Sequence, residues 1–406
     1  MKVPKGWEDI DFGELAEFRN GLNYRGEQAG EGLAIVGVSD FGDRMFPEYA
    51  ALSRVSGFDA LSEDQLLNDG DLVFVRSNGN KALIGRSMLI VRPPERLGHS
   101  GFTIRARLNR ERILPKFAAY FFRSYRARAQ LDRLGGGTNI SNLSQDILSA
   151  MRLALPPLGE QRRIAEILGA WDDAIEKVNA LIQAKQKLKR ALMQQLLTPK
   201  RRFPQFNTPW RKLRIREVLE EVKRDIEWDD DALYRLVSVR RRSGGMFDRG
   251  ALLGNQIKTK ALKLARSGDF LISKMQIVHG ASALVTPEFD GSYISGSYIA
   301  LVPKDEARLS MRFFNYLSQR PEFYHLTYIC SYGVHIEKMT FDLHDLMRAK
   351  IELPGSVNEQ DAIADTLDAV VREVAALEQY STALQNQKRG LMQKLLTGQV
   401  RVKAVD

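Results

Sequence analysis

A mixed α/β (α+β) fold is expected, with two globular domains separated by two long antiparallel coiled-coil helices in pseudo-two-fold symmetry. Three features of the 406-residue sequence predict it: an internal repeat of about two hundred residues, two matched stretches of heptad pattern, and β-like runs confined to the segments between them.

The repeat is clearest where it is helical. Glu160, Gln161, Ile164, Ala165 and Leu168 recur as Glu359, Gln360, Ile363, Ala364 and Leu367, and Lys189, Arg190, Leu192, Met193, Gln194, Leu196, Leu197 and Thr198 as Lys388, Arg389, Leu391, Met392, Gln393, Leu395, Leu396 and Thr397. Outside the helices it is fainter but ordered: Trp7 pairs with Trp210, Gly70-Asp71 with Gly268-Asp269, Ser100-Gly101 with Ser295-Gly296, Gly137 with Gly333, and Met151-Arg152 with Met347-Arg348.

Between the matched ends, apolar residues recur in steps of four and three: Ile164, Leu168, Trp171, Ile175, Val178 and Ile182, then Leu192 and Leu196, with Lys185 and Lys189 interrupting. The second copy runs Ile363, Leu367, Val370, Val374, Leu377, Leu384, Leu391 and Leu395, interrupted by Ser381 and Lys388. That spacing is a coiled-coil seam. Pro156-Pro157 and Pro354-Gly355 introduce the helices, and Pro199 and Gly398 stop them. About 38 residues at 1.5 Å each make a rod of roughly 57 Å. Two such helices sharing one seam are most simply satisfied by each other. Lys185, Lys187, Lys189 and Arg190 lie late in the first helix, where cations meet its dipole favourably.

Each globular half opens with strand-like runs, LAIVGVS, DLVFVRS and SMLIVR in the first and LYRLVSV, DFLIS, SALVTP and SYIALVP in the second. A helix-patterned segment follows in each, ILPKFAAYFFRSYRARAQL or MRFFNYLSQRPEFYHL, then a glycine-bearing loop. Strands from both ends of each half are expected to share a sheet. The resulting divisions are 1–153, 154–199, 200–352 and 353–406.

A net charge of +10 favours a polyanionic partner, nucleic acid ahead of an acidic protein surface. One cysteine and five scattered histidines give no disulfide and no metal-binding spacing. No apolar run is long enough for a membrane span, and MKVPKGWEDI carries no apolar segment of a signal peptide, so a cytoplasmic location is expected.

The doubled signature, LPPLGEQRRIAEIL and LPGSVNEQDAIADTL, each leading to a helix that ends in LMQQLLT or LMQKLLT, resembles the conserved helical regions of specificity subunits of type I restriction-modification systems. The resemblance covers the whole chain in order, and the second copy has one inserted residue between Pro354 and Glu359. It implies two target-recognition domains (1–153 and 200–352), each reading one half of a split double-stranded DNA site, with two conserved helical regions (154–199 and 353–406) as a ruler between them. It further implies two modification (methyltransferase) subunits docked on the chain, and restriction/translocase subunits joining through the complex. Cofactors then belong elsewhere: S-adenosylmethionine to the modification subunit, ATP and Mg to the restriction subunit, none to this chain.

Base reading requires hydrogen-bond donors presented from loops on a rigid scaffold. Candidates in the first half are Arg76, Ser77, Asn78 and Lys81 after DLVFV, and Thr138 and Asn139 after Gly135-Gly136-Gly137. In the second half they are Arg240, Arg241 and Arg242 before Ser243-Gly244-Gly245, with Lys274 after DFLIS and His335 after Gly333. Arg105, Arg107, Arg110 and Arg112 form a one-sign run, either a solvated face or a phosphate track. Leu192, Met193, Leu196, Leu391, Met392 and Leu395 are the candidates for docking the modification subunit.

No catalytic residues are expected. Neither Pro93-Pro94 nor Pro156-Pro157 sits in the turn an amino-methyltransferase needs, and no GxxxxGK[ST] loop is present. Glu221-Val222-Lys223 lacks a nearby aspartate of a metal-nuclease motif. The rival from another class is a coiled-coil interaction or scaffold protein without sequence-specific DNA binding.

Overall fold

The computed structural model describes residues 3–24, 29–58, 61–135 and 142–403. Its contacts divide the chain into two units, residues 1–179 with 379–406, and residues 180–378. Among the described residues, no helix is long and apolar enough to cross a membrane.

In the first unit, Glu8–Asp11 pairs antiparallel with Arg152–Leu155, joining the two ends of the globular part. A four-stranded sheet follows the order Ala16–Asn20, Thr103–Leu108, Leu72–Val75, Ser87–Leu89. A three-stranded sheet sets Ala29–Val36 between antiparallel Ser53–Val55 and parallel Leu97–His99. The second unit repeats this arrangement and adds a fourth strand, Leu262–Leu264, to its second sheet. Arg211–Arg214 pairs with Lys350–Leu353, and the four-stranded sheet runs Leu219–Val222, Tyr298–Pro303, Phe270–Ser273, Ser282–Leu284. Leu233–Val239 lies between antiparallel Met246–Leu253 and parallel Tyr293–Ser295. Leu72–Val75 and Phe270–Ser273 are buried at every residue, as continuous apolar runs require when both faces are covered.

Each helix-patterned segment resolves into two helices, Pro115–Phe122 with Tyr125–Leu134, and Met311–Leu317 with Pro321–Ile329. Ser124 accepts from the Ala127 N–H to cap one break, and Pro321 opens the helix after the other. Phe74 and Phe122 meet edge to face at 4.9 Å in the first core, and Phe270 and Phe314 at 4.9 Å in the second.

The long helices span Leu158–Leu196 and Val357–Leu396, and the division between units falls within both. In the first unit the pairing is antiparallel: Lys388 bonds Asp172 and the Ser381 hydroxyl donates to Asn179 Oδ1 at 2.8 Å, so one number falls by seven as the other rises by seven. In the second unit Lys185 pairs with Glu373 at 2.5 Å, and Lys189 faces Asp368 one turn further along. The seam lysines therefore do more than meet a helix dipole. Lys388 Nζ lies 5.2 Å from the centre of the Tyr120 ring and Lys189 Nζ 5.7 Å from that of Tyr316, each covering an aromatic face, Lys388 paired with Asp172 and Lys189 in the field of Asp368.

The repeated Glu-Gln pair fastens each helix to its domain. Gln161, fully buried, accepts from the Leu114 N–H at 2.8 Å and donates to the carbonyls of Arg112 and Pro156 at 2.9 and 2.8 Å. Gln360 does the same with the Ser310 N–H and the carbonyls of Arg308 and Pro354. The inserted residue of the second copy leaves these bonds intact. Glu160 accepts from Trp7 Nε1 and from two nitrogens of Arg401, and Glu359 from Trp210 Nε1 and two nitrogens of Arg202. Burial pushes the Glu160 carboxyl up, but Arg401, Trp7 and the Val402 N–H together outweigh it and hold the carboxyl below its usual range.

Two expectations are corrected. Leu196 and Leu395 are 4% and 1% exposed, inside the second and first cores, and Leu192, Met193, Leu391 and Met392 pack against those cores. Side chains spent on their own domains leave Leu196 and Leu395 no surface for docking another subunit. The arginine run is divided: Arg105 and Arg107 are drawn into the domain, whereas Arg110 is exposed and Arg112 half-buried. Arg105 is 2% exposed and donates to the Asp64 carbonyl, Arg107 makes two bonds to Asp71, Arg110 pairs with Asp69 and Arg112 with Glu8.

Candidate nucleic-acid interface

Arg76 and Lys274 occupy equivalent places, each just past the buried central strand of its unit. The Arg76 N–H donates to the Phe102 carbonyl at 2.8 Å and its carbonyl accepts from the Leu143 N–H. The Lys274 N–H donates to the Ser297 carbonyl at 3.1 Å and its carbonyl accepts from the Phe341 N–H. The backbone is thus held identically while the side chains differ.

In the first unit, Arg76 and Ser77 are half-buried and Asn78 and Lys81 exposed. Asn78 Oδ1 accepts from the Asn80 N–H at 2.7 Å, and Asn80 in turn caps the short turn Lys81–Leu83, so the loop is shaped by its own amides. Thr138 and Asn139 lie outside the described residues. Phe102, not singled out in the sequence, is 63% exposed beside Arg76.

Below this loop lies His99, 1% exposed. Thr103 Oγ1 donates to the Ser100 carbonyl at 2.7 Å, so its contact of 2.9 Å with His99 Nδ1 must be accepted, which places the imidazole proton on Nδ1. Burial, with Arg105 and Arg19 nearby, pushes the His99 pKa down to about 3. Because the folded value lies below that of the unfolded chain, stability is complete above about pH 6.5 and falls as pH drops toward 3. At pH 5 the expected loss is about 2 kcal/mol. Denaturant midpoints at pH 7.5 and 5 measure it, and a His99→Gln chain with the same pH dependence would refute the assignment.

In the second unit the hairpin between Leu233–Val239 and Met246–Leu253 carries Arg240, Arg241 and Arg242, all exposed. It borders a cleft of about 580 Å³ lined by Arg240, Arg241, Arg249, Gln276, Ser295 and Ser297 among others, with no carboxylate in the lining. Ser273 and Met275, the neighbours of Lys274, also line it. Such a surface offers donors and positive charge to a polyanion. Arg242 is outside this lining and is held by its backbone, whose N–H donates to the His279 carbonyl. His335 is exposed at the tip of the hairpin Ser331–Tyr332/Thr340–Phe341, between Val334 at 94% and Ile336 at 52% exposure.

Arg249, Gln276 and Ser297 had no motif to announce them; the fold brings them to Arg240 from separate strands and loops. Asp342, His344 and Asp345 come within 4.8 Å of one another, but Asp342 caps a helix and Asp345 accepts from Tyr332, which accounts for both acids.

Residues 4–186 match the family model described as type I restriction modification DNA specificity domain. A putative type I restriction enzyme MjaX specificity subunit of Methanocaldococcus jannaschii is 24% identical, over 99% of this chain and 95% of its own length. Two solved chains share the fold. One, from work on complex assembly and conformational transition of the type I R-M system, has a TM-score of 0.62 at 22% identity, covering 98% of this chain and 100% of its own. The other, a type I restriction-modification S subunit from M. genitalium, has a TM-score of 0.57 at 14% identity, covering 97% and 96%. The matched model covers the first copy of a repeat whose second copy keeps the same sheet order and the same Glu-Gln fastening. Residues 4–186 thus match the type I restriction modification DNA specificity domain, and nearly the whole chain is similar to specificity subunits of type I restriction enzymes.

Proposed function

We propose that this chain is the DNA-reading subunit of a type I restriction-modification complex, each globular domain reading one half of an asymmetric bipartite site. The observation that carries this is the pair of equivalent positions built on one backbone with different side chains, Arg76 beside Phe102 and Lys274 beside Ser297. One scaffold with two chemistries reads two half-sites. The paired helices set the distance between them, since half-site spacing follows protein geometry. Two modification subunits dock on the chain, and restriction subunits join through the complex. Specificity is this chain's contribution and catalysis is not: S-adenosylmethionine is held by the modification subunit, ATP and Mg by the restriction subunit, and the assembly works in the cytoplasm.

Methylation sequencing of cells expressing the system's modification subunit with and without this chain tests the proposal. The expected result is a modified motif split by a fixed gap, present only with the chain. Exchanging residues 200–352 for those of another specificity subunit should replace one half of the motif and keep the other. Unchanged methylation with a folded, bound partner would favour the scaffold reading.

A further inference from the structure

Among the cations of the second unit's cleft, Arg240 is held differently from the rest. Its guanidinium centre lies 4.7 Å from the centroid of the Phe247 ring, and its Nη1 donates to the Met246 carbonyl at 2.9 Å. Among the described residues, no acceptor faces its Nε and Nη2 hydrogens. Those two lie on the same side of the planar group and form the fork that matches O6 and N7 of guanine.

The hairpin beneath it is fixed at both flanks. The Arg240 N–H donates to the Gly245 carbonyl, the Arg242 N–H to that of His279, and the Ser243 N–H to that of Gly280. The Ser243 hydroxyl also meets the Tyr324 hydroxyl at 2.6 Å. Arg242 and Ser243 both take left-handed backbone angles, φ 57° and 50°, which non-glycine residues adopt only when their surroundings impose it. Gly280 is needed for this fit, since a Cβ there would stand 2.0 Å from Tyr324. An arginine stacked on a ring and set on a strained, anchored turn has little freedom left to lose on binding.

The neighbouring arginines are placed for other work. Arg235 is neutralised by Asp248 at 2.8 Å. Arg249 is exposed at the rim of the cleft, a place for phosphate contact rather than base reading.

We infer that Arg240 reads a guanine in the half-site of the second domain, and that Phe247 is the positioning residue that aims it. The inference rests on the DNA-reading function proposed above.

The test is methylation sequencing of the complete chain with its modification subunit, the half-site of the second domain being assigned first by domain exchange. Arg240→Lys retains the charge but has no fork, so preference for guanine should fall about tenfold or more at one position of that half-site, the other half-site staying unchanged. Phe247→Leu should relax the same position with Arg240 still present. Arg249→Ala should lower methylation evenly over all positions. A half-site with no guanine, or an Arg240→Lys chain whose motif is unchanged or is lost evenly in both halves, would overturn the assignment. Absence of any motif with the unaltered chain would instead remove the DNA-reading function itself.

Discussion

Gln161→Leu is expected to destabilise the first unit by about 3 kcal/mol or more, since each buried backbone group left without a partner costs about 1–3 kcal/mol. Leucine fills nearly the same volume, so the loss would not come from a cavity. The Leu114 N–H and the carbonyls of Arg112 and Pro156 would lose their partner together. Gln360→Leu should do the same in the second unit, where the Ser310 N–H and the carbonyls of Arg308 and Pro354 are at stake. Gln161→Glu sharpens the comparison: it keeps the acceptor for Leu114 but sets a carboxylate against two carbonyls. Denaturant unfolding of the three variants measures the effect. A loss below about 1 kcal/mol for either leucine variant would mean that these bonds do not hold the helix to its domain.

That Glu-Gln pair was the most legible feature of the sequence, though its work was not. Apolar periodicity and a doubled signature announce long helices because a helix repeats its faces at fixed intervals. The same regularity conceals which seam residues are spent on the domains. Leu196 and Leu395 follow the seam spacing, yet they sit where the helix end enters a core. Lys189 and Lys388 look like breaks in the pattern, but each has a tyrosine ring and an acid waiting in tertiary structure.

The strands were legible because Leu72–Val75 and Phe270–Ile272 are uninterrupted apolar runs bounded by polar or turn residues. The burial of Arg105 and the pairing of Arg107 were not legible because their partners Asp64 and Asp71 are distant in sequence. At the candidate interface, loop cations such as Arg76, Arg240 and Lys274 stood out by type and position. Phe102, Phe247 and Arg249 did not, because exposure of an aromatic ring and the neighbours of a strand residue exist only once the sheet is assembled.

If the cleft of the second unit faces the phosphate backbone, Arg241→Ala with Arg249→Ala should weaken binding of the complex to its methylation site by about 30-fold near 0.15 M salt. The magnitude follows from counterion release: each phosphate contact contributes about 0.9 to the slope of log affinity against log salt. Losing two should flatten that slope by about 1.8, and the deficit should shrink as salt rises. Preference among DNA sequences should stay as it was, because phosphates carry no sequence. The salt series separates this from damage to the fold, which would weaken binding at every salt concentration without changing the slope. An unaltered slope with full affinity would place the DNA elsewhere on the second unit. Lys274, whose carbonyl accepts from the Phe341 N–H at the base of the next hairpin, and the tip of that hairpin with His335 would then be the surface to examine.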